Sequence, residues 1–446
     1  MSDFLISTNP LNNEEVGRVP IASQQDVLAV VDQAKRAQTV WAQHPLQQRV
    51  EMLTKAYQQL EPLHPELTRL ISLEMGKDQR RAHYEAGGAM ANAPYMARET
   101  AEAFEPKQIA VSSQIQYQPL GVVGLISPWN YPLAMANNLL IPALIAGNSV
   151  VLKPSENTPL VADVFVKALQ QQLPEGVLQI IHGEGDVGRM LVQADINMIA
   201  FTGSVAAGRD IMANAAGGLK RLVMELGGND PMIVMAGADL HAAARFAVAS
   251  SFENAGQMCT STERIYVDHR VADHFRELVV QIAGQYRVGG WNEPGVNIGP
   301  LVNAKQHQNV LAQLQDAKNK GAEFLLGDAD YPLPFIQPTV VDGMTPDMQL
   351  EQLETFGPVV AMSTVDSMDE AIRRANDSVY GLGAVVFGGS GAAEVADQLQ
   401  AGMVSVNGGV GGPGDSPWVG AKHSGFGYHG SAEGHRQFTQ IRVMNY

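Results

Sequence analysis

The stretch GVVGLISPWN, residues 121–130, decides the fold class of this chain. Its first half is a short apolar run, and its second half is a turn that contains proline. Such runs are typical of strands buried on both faces of a parallel sheet. A helix-length segment from Pro132 to Ala146 follows, and then another apolar run. This alternation predicts an α/β fold in which helices flank a parallel sheet, an architecture that commonly binds nucleotides.

The same alternation continues along the chain. Strands are predicted at Val122 to Ile126, Ser149 to Leu152, Val177 to Ile181, Met198 to Phe201, Arg221 to Met224, Ile233 to Met235, Arg264 to Val267, Val359 to Met362, Ala384 to Phe387 and Val404 to Val406. Helices are predicted at Leu160 to Gln172, Leu240 to Asn254, Val271 to Tyr286, Asp369 to Ala375 and Ala392 to Leu399. Two stretches with alternating polarity, Gln114 to Gln118 and Gln440 to Val443, predict half-exposed edge strands that need a partner.

The composition limits the class of protein. The chain has 446 residues, of which 45% are hydrophobic and 17% charged, as is ordinary for a globular protein of two or three domains. Its 30 basic and 46 acidic residues give a net charge of −16, which argues against nucleic acid or an anionic membrane as partner. The first residues lack a secretory pattern, and the longest apolar run is too short for a membrane span. We therefore expect a cytoplasmic protein.

Cys259 is the only cysteine in the sequence. A single thiol forms no internal disulfide and no multi-cysteine metal site, so we predict no metal centre of that kind. Two interpretations remain open for it on this run alone, which are burial as a small hydrophobic residue and chemistry as a nucleophile.

Four segments with polar side chains follow predicted strands, where open α/β sheets bind ligands. Asn130 offers an amide to a developing oxyanion, and Lys153 with Glu156 suits the hydroxyls of a ribose. Ser204 lies at a predicted helix start, which fits a pyrophosphate. Glu225 ends an apolar strand, where burial is expected to raise its pKa toward that of a general base. Turns and helix caps are the competing interpretation for the first two segments.

Residues 183–188, Gly-Glu-Gly-Asp-Val-Gly, match the G-x-G-x-x-G pattern of dinucleotide sites. The match does not follow the first strand of the fold, and it lacks the acidic residue expected about 20 residues later. We therefore do not place the pyrophosphate there.

Taken together, these segments resemble the NAD(P)-dependent aldehyde dehydrogenase superfamily over essentially the whole chain. The resemblance rests on seven motifs in one order, which are Pro128-Trp129-Asn130, Lys153-Pro154-Ser155-Glu156, Phe201-Thr202-Gly203-Ser204, Glu225-Leu226-Gly227-Gly228, Gly256-Gln257-Met258-Cys259, Glu354-Thr355-Phe356-Gly357-Pro358 and Lys422-His423-Ser424-Gly425.

The resemblance implies a hydrolytic oxidation of an aldehyde to a carboxylic acid. Cys259 would form a thiohemiacetal and then a thioester, Asn130 would hold the oxyanion, and Glu225 would activate the hydrolytic water. Lys153 is expected to serve both the catalytic site and the cofactor. The cofactor implied is NAD, with NADP less favoured because Glu156 faces the ribose. The residues expected at the cofactor are Ile126, Ser127, Trp129, Lys153, Ser155, Glu156, Gly185, Gly188, Phe201, Gly203, Ser204, Ala207, Leu226, Gly227, Glu354 and Phe356.

The substrate side is expected to be lined by Tyr131, Met135, Asn138, Thr260 and Trp418. None of the five is an arginine, which argues against a carboxylated substrate unless arginines from distant segments contribute. The sequence does not name the aldehyde.

The resemblance also implies three parts. We expect a Rossmann-type cofactor domain at 1–100 and 120–227, an α/β catalytic domain at 228–423, and a small β oligomerisation arm at 101–119 and 436–446. The arm gives the two edge strands a partner, so a homodimer or homotetramer is expected.

Three alternatives remain from the sequence. One is a semialdehyde dehydrogenase, for example for succinate semialdehyde, that tolerates NADP. Another is a relative that passes the thioester to coenzyme A, against which Glu225 argues. The last is a protein without redox activity on the same scaffold, such as a cofactor-binding protein or a thiol esterase.

Overall fold

The structure is a computed structural model that describes residues 4–412 and 415–446. Its strands are β1 Phe4–Thr8, β2 Glu15–Pro20, β3 Lys107–Ala110, β4 Ser113–Pro119, β5 Val122–Ile126, β6 Ser149–Lys153, β7 Leu178–Ile180, β8 Met198–Thr202, β9 Arg221–Glu225, β10 Asp230–Val234, β11 Thr262–Asp268, β12 Glu323–Leu326, β13 Thr339–Asp342, β14 Val359–Val365, β15 Gly383–Phe387, β16 Met403–Val406, β17 Trp418–Val419, β18 Gly425–Phe426, β19 Tyr428–His429 and β20 Thr439–Asn445. Its α-helices are α1 Gln24–Trp41, α2 Leu46–Gln58, α3 His64–Met75, α4 Gln79–Ala103, α5 Ala134–Ile145, α6 Pro159–Gln170, α7 Gly185–Gln193, α8 Val205–Ala215, α9 Leu240–Phe252, α10 Ala272–Ala283, α11 Ala304–Asn319, α12 Gln349–Gln352, α13 Met368–Asn376, α14 Ala392–Ala396 and α15 Ser431–Arg436.

The first sheet has the strand order β18-β9-β8-β5-β6-β7. Strands β5 to β9 run parallel, and β18 is antiparallel to β9. Every residue of β5 and β6 is buried, which explains why their sequences are apolar without alternation. The chain winds outward from β5 in both directions, so the end of β5 is the switch point at which such sheets bind ligands.

The second sheet has the order β12-β13-β14-β11-β10-β15-β16, with β12 as its antiparallel strand. The boundary expected at residues 227/228 falls between β9 of the first sheet and β10 of the second. The α/β fold predicted from the alternating apolar runs is confirmed. The functional labels given to the two parts stay predictions.

Helices α6, α9, α10 and α14 end earlier than the pattern predicts, at Gln170, Phe252, Ala283 and Ala396, and the cause is visible at α9. The apolar periodicity extends to Asn254, whereas α9 ends at Phe252. The reason is local, because Asn254 and Ala255 adopt left-handed backbone angles with φ of 53° and 58°. The chain turns sharply there and enters the segment that carries Cys259.

The third sheet, with the order β20-β4-β3, is formed by the two stretches of alternating polarity. Strands β4 and β20 pair antiparallel over their full lengths, and Tyr117 lies opposite Ile441. The Tyr117 ring packs against Phe104 and the Arg436 guanidinium, which holds one face of this sheet on the body of the protein. Ile441 and Val443 remain 54% and 60% exposed.

Within the described ranges, no helix has the length and apolar character needed to cross a membrane.

Candidate active site

A cavity of about 690 Å³ lies between the two larger sheets. Residues that follow β5, β8 and β9 line one side, and residues that precede β11 and β14 line the other. The carboxyl ends of the first sheet therefore meet the amino ends of the second sheet at this cavity. Many of the residues predicted for the site line it, namely Trp129, Asn130, Tyr131, Met135, Gly203, Ser204, Leu226, Gly227, Cys259, Thr260, Glu354, Phe356 and Trp418.

The segment before Cys259 has a strained backbone. Gly256 continues the left-handed run of Asn254 and Ala255 with a φ of 74°. A Cβ at Gly256 would overlap the carbonyl of Gly357, so only glycine fits. Such strain persists where the surroundings fix it, and it brings the thiol of Cys259 to the cavity wall.

Asn130 is held from three sides. Its side-chain Nδ2 donates to the carbonyl of Gln257 at 3.1 Å. Its own carbonyl accepts from Lys77 Nζ at 2.8 Å and from Asn254 Nδ2 at 3.1 Å. Because a primary amide carries two N–H groups, one remains to donate toward the cavity beside Cys259.

The pKa of the Cys259 thiol is raised by burial and by the negative charges of Asp230, Glu225 and Glu354. The thiol therefore stays protonated at neutral pH in the absence of ligands. Nucleophilic attack by sulfur requires the thiolate, so this arrangement needs a base or a bound positive charge to release it.

Glu225 is the last residue of β9 and is buried. Burial raises its pKa well above the ordinary value, as expected from its place at the end of an apolar strand. Its two carboxylate oxygens have no hydrogen-bond partner among the described residues. A buried carboxyl without partners is costly, and it is available to exchange a proton with a water or a thiol that enters.

The glycine pair after Glu225 lets two groups approach the backbone. A Cβ at Gly227 would overlap the carboxylate of Glu354, and one at Gly228 would overlap the carbonyl of Cys259. The Gly228 N–H donates to Glu354 Oε1 at 2.9 Å. Burial raises the pKa of Glu354 to about 7.

Aromatic rings form part of the cavity wall. The rings of Trp129 and Phe356 meet edge to face, with centroids 5.5 Å apart. Phe356 has a left-handed φ of 53°, and the buried carboxylate of Glu263 holds this turn by accepting from the N–H groups of Thr355 and Phe356, each at 2.8 Å. The position of Glu354 and Phe356 thus depends on a residue that the sequence analysis did not single out.

Lys153 ends β6 and is buried, and its Nζ lies 3.8 Å from Glu156, whose side chain is 45% exposed. Ile126 ends the neighbouring strand β5, Phe201 lies opposite Ile126 on β8, and Ser127 donates its N–H to the Lys153 carbonyl. A Cβ at Gly188 would lie 3.7 Å from the Lys153 side chain. The remaining predicted residues in this region are Ser155, which is buried beside Glu156, and Gly185, which begins α7.

Ser204 is the N-cap of α8, and its hydroxyl accepts from the Ala207 N–H at 3.3 Å. Ser204 lines the cavity together with Thr202 and Gly203, so α8 begins at the cavity wall. A helix N-terminus attracts anions, so this position suits a pyrophosphate.

Asn138 does not line the first cavity. It lies in a second cavity of about 500 Å³, which shares Tyr131 with the first. Arg80 and Arg81 from the start of α4 also line this second cavity. Distant arginines therefore do reach the region predicted for the substrate. Arg81 is paired with Asp78 and Glu253, whereas Arg80 forms no ion pair with any described residue.

Several cavity residues were missed by the sequence analysis. Helix α11 was not predicted, although Asn303 caps it by accepting from the Gln306 N–H and Gly321 follows its end. That capping signal could have revealed the helix. The missed lining residues include Gln306, Asn309, Ala312, Gln313, Gln349, Leu353 and Tyr380.

In the part of the chain that the structure describes, no group of three or more His, Cys, Asp or Glu side chains could hold a metal ion.

Comparison with known proteins identifies the family. Residues 2–444 match the model of the aldehyde dehydrogenase family. The chain is 35% identical over 448 residues to a probable succinate-semialdehyde dehydrogenase, NADP(+), of Sinorhizobium fredii, covering 98% of this chain and 91% of that protein. Its fold superposes on an NAD-dependent aldehyde dehydrogenase from Sinorhizobium meliloti with a TM-score of 0.95 at 30% identity, covering 99% of this chain and 91% of that one. It superposes equally well on lactaldehyde dehydrogenase from Escherichia coli, with a TM-score of 0.95 at 31% identity, covering 100% and 96% of the two chains.

The protein therefore belongs to the aldehyde dehydrogenase family and is an oxidoreductase that acts on aldehydes. The recognition made from the seven motifs is confirmed. Its cofactor is a nicotinamide dinucleotide, NAD or NADP.

Proposed function

We propose that the protein oxidises an aldehyde to the carboxylic acid through a covalent intermediate on Cys259. The observation that carries this proposal is the meeting of three groups at the junction of the two sheets. Cys259 and Asn130 line one cavity. Glu225 does not line this cavity, but its charge raises the pKa of the thiol, and its carboxyl oxygens have no hydrogen-bond partner among the described residues.

The first half of the reaction forms a thioester. The thiol of Cys259 releases its proton to solvent, and the sulfur bonds to the aldehyde carbon while the carbonyl electron pair moves to oxygen. The free N–H of the Asn130 amide and the backbone N–H of Cys259 stabilise that oxyanion. A nicotinamide bound beside Cys259 would supply the acceptor for the hydride that leaves the aldehyde carbon. The oxyanion then collapses to a thioester on Cys259.

The second half hydrolyses the thioester. Glu225 takes a proton from water as the water oxygen bonds to the acyl carbon. The carbon–sulfur bond breaks, the acid leaves, and the sulfur recovers a proton. Burial raises the pKa of Glu225, which makes its ionised carboxylate a stronger base toward water.

The residues present fit a nicotinamide dinucleotide. Lys153 and Glu156 offer a cation and a carboxylate for ribose hydroxyls, and the N-terminus of α8 at Ser204 offers N–H groups for phosphate. The Glu354 carboxylate and the Phe356 ring border the same cavity as Cys259, where the second ribose and the nicotinamide would lie.

We propose that NAD is preferred to NADP. Glu156 is partly exposed at the ribose position, and its carboxylate would repel a 2′-phosphate. The names of related proteins point to both cofactors, NADP for the Sinorhizobium fredii relative and NAD for the Sinorhizobium meliloti structure.

A semialdehyde is the second candidate for the substrate. The observation in its favour is Arg80, an arginine without an ion pair among the described residues, which lines the cavity that adjoins Tyr131. Its guanidinium could bind the distant carboxylate of a substrate such as succinate semialdehyde. The name of the Sinorhizobium fredii relative agrees with this candidate.

The protein is further proposed to work in the cytoplasm, where a reactive thiol stays reduced, and as a homodimer or homotetramer. The exposed apolar side chains of the third sheet, Ile441 and Val443, support self-association.

The test is NADH formation at 340 nm with aliphatic, aromatic and carboxylated aldehydes, comparing wild type with Cys259→Ala. We expect turnover by wild type and none by Cys259→Ala, with NAD affinity retained. Full turnover by Cys259→Ala would contradict the covalent mechanism. Dependence of turnover on added coenzyme A would favour the acylating alternative, and absence of NADH formation by wild type would favour a non-redox role. A kcat/KM for succinate semialdehyde at least tenfold above that for butanal would favour the semialdehyde.

A further inference from the structure

Lys77 is a buried cation outside the set of residues assigned to the reaction. It lies in the turn between α3 and α4, and its side chain is 0% exposed. Its ammonium donates to the carbonyl of Asn130 at 2.8 Å and lies 3.7 Å from the centre of the Tyr131 ring. One side chain therefore holds two successive residues of the loop that follows β5.

Glu85 completes this arrangement from α4. Its Oε2 forms an ion pair with Lys77, and its side chain is 2% exposed. Its Oε1 accepts from the N–H groups of Leu133 and Ala134, at 3.1 and 3.4 Å, at the start of α5. The ion pair therefore links α4 to the Asn130 loop through Lys77, and it links α4 to the start of α5 through Glu85.

The contacts of Asn130 show why its backbone matters. Its carbonyl is shared between Lys77 and Asn254. Asn254 Nδ2 also donates to the Gln257 carbonyl, and that carbonyl accepts from the side chain of Asn130. The orientation of the Asn130 peptide is therefore coupled to the direction of its amide. Lys77 is the charged contact of this group.

We propose that the ion pair of Lys77 and Glu85, the Lys77–Glu85 clamp, positions the Asn130 amide and the Tyr131 ring for attack by Cys259. Lys77 is a positioning residue, since its contacts are with Asn130 and Tyr131. The inference rests on the proposed function, in which Asn130 holds the oxyanion. Burial lowers the pKa of Lys77, while the charges of Glu85, Glu253 and Asp78 oppose that shift and favour the cation.

The experiment measures NADH formation in a single turnover, with enzyme in excess of aldehyde. In Lys77→Met the rate is expected to fall by about 10- to 100-fold, the scale of a misplaced catalytic group. The effect should lie in kcat more than in KM for NAD, because the clamp contacts Asn130 and Tyr131, and neither of these residues is assigned to the cofactor. Unchanged single-turnover kinetics in Lys77→Met would overturn the proposal.

A double-mutant cycle separates positioning from general damage. If Lys77 acts through the Asn130 amide, Lys77→Met should slow an Asn130→Ala enzyme by less than about twofold, since coupled residues are not additive. An equal slowing in both backgrounds would overturn the proposal.

Two further variants guard against misfolding. Lys77→Met combined with Glu85→Gln leaves no lone buried charge, and Gln keeps the oxygen that accepts from α5. This pair should show the same loss of rate as Lys77→Met. The matched control is Glu74→Gln, because Glu74 is also buried and accepts from the Leu160 and Val161 N–H groups at the start of α6. Glu74→Gln should lower the melting temperature and leave the single-turnover rate unchanged. A rate loss in Glu74→Gln equal to that in Lys77→Met would contradict a specific clamp.

Failure of this inference differs from failure of the proposed function. If wild type gives no NADH, or Cys259→Ala keeps full activity, the proposed function fails. If wild type and Cys259→Ala behave as expected while the Lys77 variants retain the wild-type rate, the clamp alone fails.

Discussion

Glu225 shows how a single buried residue can signal function. Neither of its carboxylate oxygens has a hydrogen-bond partner among the described residues, and burial raises its pKa. Burying a carboxyl without partners lowers stability, and proteins retain such groups mainly where they serve a reaction. Because Glu225 lies at the end of β9, this unfavourable burial of a carboxyl group occurs at the junction of the two sheets.

Replacing Glu225 by Gln is expected to slow hydrolysis of the thioester by about 10²- to 10⁴-fold, because the water loses its base. Rapid mixing should show a burst of NADH followed by a slow steady state, because in the proposed reaction the thiol loses its proton to solvent and only the hydrolysis step uses Glu225. Intact-mass spectrometry should show the acyl adduct on the protein. An unchanged steady-state rate would show that another group activates the water.

At the residue scale, most of the residues proposed to react could be predicted from the sequence, because they lie in short motifs. Cys259, Asn130 and Phe356 were all predicted for the site and all line the cavity. Tyr380 and Gln306 were missed, because their segments carry no motif and reach the cavity only through the packing of β14, β15 and α11. No single-sequence pattern encodes that approach.

At the scale of elements, the side chains proposed to bind the cofactor lie at or just after the ends of strands β5, β6, β8 and β9, where α/β sheets commonly bind ligands. Strands β5, β6, β8 and β9 were predicted closely, because each is built on a continuous apolar run. The short strands β12, β13 and β18 were missed. Helix α4 was missed. It begins at an Asp78 cap, but its interior is rich in alanine and glycine and contains Pro94, which hides the apolar stripe.

The proposed cofactor preference also depends on the end of a strand, because Glu156 follows the end of β6. Two like unit charges about 4 Å apart repel by about 4 kcal/mol at an effective dielectric of about 20. Exposure of Glu156 and the nearby Lys153 reduce this figure, and even a third of it costs about tenfold in affinity. We expect tighter binding of NAD than NADP, and we expect Glu156→Ser to narrow the gap.

Calorimetry with NAD and NADP, without aldehyde, measures the two dissociation constants in wild type and Glu156→Ser. The NAD affinity of the variant reports any general damage to the site. Tighter binding of NADP by wild type would show that the Glu156 carboxylate turns away from the ribose.

At the scale of the whole molecule, the third sheet exposes an apolar strip on β20. Placing two charges there should oppose burial against a second copy. In Ile441→Glu/Val443→Glu, we expect the mass from sedimentation to fall to that of a single chain. Leu28→Glu on α1 is the control, since Leu28 is 50% exposed and lies outside this sheet. A wild-type protein that sediments as one chain, or a variant that keeps the wild-type mass, would contradict the proposed assembly.

The raised pKa of Cys259 has a consequence for the lifetime of the enzyme. Peroxides and alkylating agents react with the thiolate far faster than with the thiol. Because burial and three carboxylates keep this sulfur protonated, the idle protein carries its only cysteine in a chemically dormant form. We therefore expect peroxides and alkylating agents to react with Cys259 more slowly in the resting enzyme than during turnover.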